Sequence, residues 1–156
     1  MSSQQSTVRH EIVAPGICRV ALDRPKQGNA QNTRMTYDLN DALMQAAHDD
    51  DVKVIVLAGS GKHFSTGHDL KDLEHDSIVQ SRPRMGVHGD IDTGNVAGYY
   101  AWECEVYLEA CRRWRSIPKP MIAEVKGGCI GGGLMLAWVC DLIIASQDAF
   151  FADPVI

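Results

Sequence analysis

A chain of 156 residues, 45% hydrophobic and 22% charged, has enough apolar material to bury one sizeable core, and it is read as one domain over 1–156. Its net charge of −5 argues against a nucleic-acid surface and gives no attraction to anionic lipid, so neither nucleic acid nor membrane is an expected partner. The five cysteines are odd in number and widely spaced with no C-x-x-C pair, which argues against a disulfide framework or a zinc ribbon. The polar start Met1-Ser2-Ser3-Gln4-Gln5 carries no secretory h-region, and the longest apolar run, Leu134 to Cys140, is too short to span a bilayer, so a cytoplasmic location is expected.

In chain order, Val8 to Val13 and Ile17 to Leu22 read as strands joined by the turn Ala14-Pro15-Gly16. Thr33 to His48 places Met35, Leu39, Ala42, Leu43, Ala46 and Ala47 on one helical face, with Asn32 or Thr33 as its cap. Val52 to Ala58 is a short apolar run, as a strand buried on both faces requires. Phe64 to Leu70 leads into an expected short helix, residues 76–97 show no period and read as a variable loop, and Tyr99 to Ser116 reads as a long amphipathic helix ended by Pro118. Met121 to Val125 is a strand, Gly127 to Gly133 a glycine-rich bend, the stretch to Trp138 a helix, and Leu142 to Ala145 a strand. Strand and helix alternate, which favours an α/β fold with right-handed crossovers. The terminal stretch Phe150 to Ile156 reads as a buried strand that stops without a cap, as a fragment of a longer protein would.

Nucleotide motifs fail on spacing. Gly61-Lys62 is followed by His63 where a P-loop needs Ser or Thr, with Val56 in place of its first glycine, and the last glycine of a dinucleotide fingerprint would fall on Leu136. No G-x-S-x-G elbow is present. His63, His68 and His75 with Asp69 and Asp72 lack metal-ligand spacing and read as ordinary polar loop residues, so no metal is expected. Two glycine-bearing loops remain, each after an apolar strand and before a helix: Phe64-Ser65-Thr66-Gly67-His68-Asp69-Leu70, and Gly127 to Leu134. A helix start exposes unpaired N–H groups, and glycine lets a ligand approach them. Two such donors aimed at one carbonyl oxygen would form an oxyanion hole; the bland alternative is a tight turn with close helix packing.

Four segments resemble the crotonase family of enoyl-CoA hydratases and isomerases. Leu22-Asp23-Arg24-Pro25-Lys26-Gln27-Gly28-Asn29-Ala30 is similar to L-x-R-P-x-x-x-N-A, and Ile55 to Leu70 to I-V-L-x-G-x-G-x-x-F-x-A-G-x-D-L with Thr66 in place of alanine. Ile117 to Ala123 resembles I-P-K-P-[VM]-I-A, and Gly127 to Asp141 resembles G-x-[AC]-x-G-G-G-x-x-L-A-x-x-C-D. The resemblance implies a crotonase-like spiral of ββα units, assembly as a homotrimer or a dimer of trimers, and an acyl-CoA substrate, with coenzyme A part of the substrate and no tightly bound cofactor. It places the oxyanion donors on the backbone N–H groups of His68 and Gly132, and thioester or CoA contacts on Arg24, Lys26, Thr66, Gly67, Asp69, Leu70, Lys71, Gly131, Met135 and Val155. Asp69 is also a natural helix cap. The family's C-terminal helical part is absent from these residues.

The sequence departs from the family at its chemistry. The two glutamates that serve a hydratase fall on Met135 and Val155, and neither side chain carries a proton. Candidate substitutes are Asp153, which would share a strand face with Val155, Glu74, one of Glu103, Glu105 or Glu109, and a residue beyond Ile156. A turn-forming role competes for Asp153, since Pro154 follows it. The expected function is enoyl-CoA hydratase-like lyase chemistry through a thioester enolate. The alternatives are a crotonase-fold isomerase, hydrolase or decarboxylase, a catalytically silent acyl-CoA-binding protein, and a purely structural subunit.

Overall fold

A computed structural model of the chain describes residues 6–72, 75–83, 85, 91 and 94–154. Pro15 and Gly16, the latter at φ 78°, turn strand β1 (Val8–Ala14) back on β2 (Ile17–Leu22) as an antiparallel hairpin. From β2 outward the pairing is parallel, through β3 (Val54–Gly59), β4 (Met121–Val125) and β6 (Leu142–Ala145), in the order β1-β2-β3-β4-β6. A second layer holds the short strands β5 (Gly128–Ile130) and β7 (Phe150–Ala152), paired in parallel, with Ser65 bridged to Cys129 on the other side of β5. Each main-sheet strand from β3 on therefore leads into a short second-layer segment: Ser65 after β3, β5 after β4, β7 after β6. This is the α/β spiral expected from the sequence.

Helix α1 (Thr33–His48) begins where Asn32 accepts the Met35 N–H, and buries Met35, Leu39, Ala42, Leu43 and Ala46 against the main sheet. The other helices are α2 (His75–Ser81), α3 (Val96–Glu103), α4 (Ala110–Arg115) and α5 (Gly132–Trp138). A π-helical turn, Cys104–Glu109, joins α3 to α4 without a break. The core runs from β2–β4 through Phe64 and Trp114 to Leu134 and Leu136 of α5, while Tyr37, Ile78, Trp102 and Val106 form a smaller apolar cluster. Asp141 accepts the Met121 N–H at 2.9 Å, which with the Arg115 guanidinium holds its carboxyl below the usual carboxylate range and ties the start of β4 to that of β6.

Four expectations need correction. No helix begins directly after Leu70: Asp69 Oδ1 accepts the Lys71 N–H and closes a turn, and the helix starts at His75. The 76–97 stretch is less irregular than its composition suggests, because α2 runs to Ser81 and α3 starts at Val96. The long helix is one helical rod from 96 to 115, but the π turn breaks its α-periodicity. In the terminal stretch, expected to be a buried strand, Phe150 and Phe151 are each 48% exposed. Apolar composition records a preference for burial, and burial also needs something packed on top. No helix among the described residues is long and apolar enough to cross a membrane.

Burial raises the thiols of Cys111 and Cys129 to about 11, and burial with the nearby Asp141 charge raises Cys140 to about 12. An unfolded chain ionises these thiols from about pH 9 while the folded chain keeps its protons. The unfolded state then binds fewer protons, so stability falls as pH rises from about 9 towards 11 or 12. The expected result is a urea midpoint that drops across this window, with a smaller drop in a Cys129→Ala/Cys140→Ala variant.

Candidate active site

The Arg24–Ala30 loop is organised by Asn29, which is fully buried and sits at φ 55°. Its Oδ1 accepts the Arg24 N–H at 2.9 Å, and its Nδ2 donates to the carbonyls of Ser60 (2.8 Å), His63 (2.8 Å) and Phe64 (3.2 Å). One side chain thus ties the first loop to the turn after β3. Arg24 Nη1 donates to Ala30 O at 2.6 Å and to Asp69 Oδ2 at 2.8 Å, so the guanidinium clamps the two loops together. Lys26 and Lys71 are exposed, as is Leu70, while Thr66 is half-buried with its N–H donating to Gly28 O at 3.0 Å.

The second loop is fixed by Ser65 and Gln31. Ser65 Oγ donates to Asn29 O at 2.9 Å and accepts from Gln31 Nε2 at 3.1 Å and from the Gly67 N–H at 3.2 Å. The Gln31 N–H donates to Gly67 O at 2.7 Å, and the Asp69 N–H to Gln31 O at 2.9 Å. Between these bonded neighbours, the His68 N–H has no hydrogen bond among the described residues. The Gly132 N–H, at the first turn of α5, likewise has none there, whereas the Gly131 N–H donates to Ala152 O at 2.9 Å.

Glycines let the loops touch. Gly67 lies at φ 93°, and a Cβ there would stand 2.8 Å from Ile130 O and 3.3 Å from Gly132 N. A Cβ on Gly133 would meet Ser65 O at 2.6 Å. The close approach of α5 to the 64–69 loop thus puts the two unbonded N–H groups on neighbouring stretches of backbone, both at the wall of one cleft.

That cleft, about 420 Å³, is lined by His68, Glu103, Tyr107, Gly132, Met135 and Asp153 among others. The structure therefore brings together His68, Gly131, Gly132, Met135 and the acid–base candidate Asp153, and adds Glu103 from the helix. It removes two other candidates. Glu105 is fully buried, its Oε1 accepting the Met85 N–H at 2.7 Å and its Oε2 without a partner among the described residues. Glu109 pairs with Arg112 at 2.7 Å, away from the cleft. Glu74 and Val155 lie outside the described residues.

Tyr107 is not among the sequence candidates, since only the carboxylates of this helix suggest acid–base chemistry. Its hydroxyl lies 2.9 Å from His68 Nδ1 and 3.1 Å from Nε2, with the ring centroids 5.2 Å apart. Burial pushes this hydroxyl far up, and the Glu103 charge pushes the same way, so the phenol stays protonated. Of the residues considered for a metal, His63 Nδ1 accepts the Gly128 N–H at 2.9 Å, Asp69 pairs with Arg24, and Asp72 accepts the Thr33 N–H at 2.7 Å.

Known proteins share this arrangement of chain. The family model for enoyl-CoA hydratase/isomerase matches residues 13–156. A Mycobacterium tuberculosis protein bearing the name of an enoyl-CoA hydratase, EchA13, is 41% identical over 95% of this chain and 48% of its own length. Human mitochondrial Delta(3,5)-Delta(2,4)-dienoyl-CoA isomerase is 36% identical over 86% of this chain and 39% of its own. A crystal structure described as an enoyl-CoA hydratase from Mycobacterium smegmatis superposes with a TM-score of 0.79 at 40% identity, covering 97% of this chain and 53% of that one. The chain thus spans about half the length of these relatives, or less.

Proposed function

The chain belongs to the enoyl-CoA hydratase/isomerase family, and from that premise we propose that it binds acyl-CoA thioesters and stabilises the enolate formed beside their carbonyl. The observation that carries this reading is the pair of unbonded N–H groups, His68 and Gly132, at the wall of one cleft where two glycine loops meet. Both are held by their loops before any ligand arrives, so little reorganisation opposes binding of a developing oxyanion. A donor placed in this way is worth about 2.7–4 kcal/mol in a transition state.

Removal of a proton beside the carbonyl spreads negative charge onto the thioester oxygen, where these donors act. The outcome then depends on where the proton returns. Hydration adds water across the double bond and needs groups that activate water and deliver a proton; isomerisation needs only that a proton leave one carbon and reach another. Met135 stands in the cleft where a hydratase of the family would present a carboxylate, which favours the isomerase branch over efficient hydration. The second reading, a silent acyl-CoA-binding protein, keeps the donors and drops the proton transfer. Assembly as a homotrimer or a dimer of trimers belongs to the same proposal.

Two measurements test this. Acetoacetyl-CoA, whose enolate resembles the proposed intermediate, is expected to bind. Hydration of a short trans-2-enoyl-CoA, monitored by loss of the conjugated thioester absorbance, is expected to run at least about 10²-fold below an enzyme with both carboxylates. Failure of acetoacetyl-CoA to bind overturns the proposal; rapid hydration overturns its isomerase branch.

A further inference from the structure

We infer that the His68 imidazole, oriented by the Tyr107 hydroxyl, is the group that carries the proton in this cleft. The inference rests on the acyl-CoA reading above and adds to it a role for the His68 side chain, which the oxyanion reading leaves idle. His68 would then serve twice, its backbone N–H on the oxygen and its ring at the neighbouring carbon.

The geometry supplies three arguments. First, the hydroxyl lies within hydrogen-bond distance of both ring nitrogens, 2.9 Å from Nδ1 and 3.1 Å from Nε2, and both residues line the cleft that holds Gly132 and Met135. Second, Tyr107 is held from behind: its ring meets Trp102 edge-on at 6.0 Å with an interplanar angle of 88°, and it packs against the cluster of Ile78, Trp102 and Val106. A phenol fixed by its carbon body can hold an exposed imidazole in one orientation. Third, Tyr107 lies in the π-helical turn Cys104–Glu109. An extra residue in a helical turn rotates the next turns relative to a regular helix, and such insertions recur at functional sites. The charged and titratable groups facing the pair are Glu103, Tyr99, Asp72 and Cys111 around Tyr107, with Asp153 also lining the cleft.

The step balances without a co-reactant. The ring donates its N–H to the Tyr107 oxygen, its other nitrogen takes a proton from the carbon beside the carbonyl, and the C–H electron pair passes into the thioester carbonyl as an enolate that the two backbone N–H groups would hold. The imidazolium then returns the proton to a different carbon, restoring the neutral ring. Nothing is oxidised or reduced, and the double bond has moved. The Tyr107 hydroxyl acts through the ring and is a positioning residue.

His68→Ala provides a clean test, because it removes the ring and keeps the backbone N–H. The probe is a trans-3-enoyl-CoA in deuterated water, read for formation of the conjugated thioester and for deuterium uptake, beside acetoacetyl-CoA binding. The expected result is a loss of at least about 10²-fold in turnover at saturating substrate, acetoacetyl-CoA affinity within about threefold, and partial rescue by added imidazole. Tyr107→Phe is expected to lower turnover about tenfold with little change in acetoacetyl-CoA affinity and no rescue by imidazole. Full turnover in His68→Ala assigns the proton transfer to Glu103 or Asp153 and overturns the inference. So does a wild-type chain that binds acetoacetyl-CoA but moves no proton, an outcome that leaves thioester binding standing. A wild-type chain that binds no acetoacetyl-CoA overturns the functional reading itself.

Discussion

Replacing Asn29 by alanine is expected to cost about 4 kcal/mol of folding stability, the largest single-residue effect this site offers. Three carbonyls, those of Ser60, His63 and Phe64, lose the amide that reaches them, and the Arg24 N–H loses its acceptor. These groups surround a fully buried position, and each buried polar group left unpaired costs about 1–3 kcal/mol. Alanine must also hold φ 55°, a conformation that costs an L-residue with a Cβ about 1–2 kcal/mol and that asparagine tolerates better than most. Urea unfolding reads the total, and Asn29→Gly separates its parts, since glycine removes the φ cost and leaves the carbonyls orphaned. A loss below about 1 kcal/mol in Asn29→Ala would show that water replaces the amide and that the clamp is not structural.

The second large effect falls on chemistry. Gly133→Ala places a methyl 2.6 Å from the Ser65 carbonyl oxygen, a backbone atom that cannot turn aside. Gly133 does not have a positive φ, so the substitution adds no backbone strain of its own and acts by pushing α5 away from the 64–69 loop. On the proposed oxyanion reading, a separation of the donor pair on the order of 1 Å is expected to cost about 10²-fold in turnover, because such stabilisation depends on both donors reaching one atom. The stability cost should be the smaller part, about 1–3 kcal/mol, as for other overpacked sites. Turnover and the urea midpoint measured on the same preparation separate the two. Undiminished turnover would mean that the donors need not lie on facing loops.

The two glycine loops were legible in the sequence because their motifs are constraints of chain geometry: Gly67 must accept φ 93°, and Gly133 must carry no Cβ. Helix α1 was legible to the residue, since its apolar positions repeat at helical spacing and Asn32 caps it. The Arg24–Asp69 ion pair is not legible in the sequence, because a cationic side chain beside a loop says nothing of the acid it meets, and Asp69 lies far along the chain. Tyr107 was missed for a different reason. Only the carboxylates of its helix suggest acid–base chemistry in a sequence, and the contact of a phenol with His68, 39 positions away, is a matter of the fold. Among the carboxylates, only three-dimensional placement separates Glu103, in the cleft, from Glu105, buried two positions away.

The pairing order of the main sheet also dictates an order of events as the chain is made. The β1–β2 hairpin is local, and β3 joins after one helix, but Ile55 must wait for Met121 and everything in between before its other edge is covered. During that interval β3 presents open N–H and C=O groups on a strand of Val, Ile and Leu, the kind of edge that recruits strands from neighbouring chains. Contacts so distant along the chain form slowly, because the entropy of closing the loop is lost before any pairing repays it. Expression yield should therefore depend on how fast β4 emerges and docks, and slower synthesis through residues 60–120 would lengthen the window in which nascent chains aggregate.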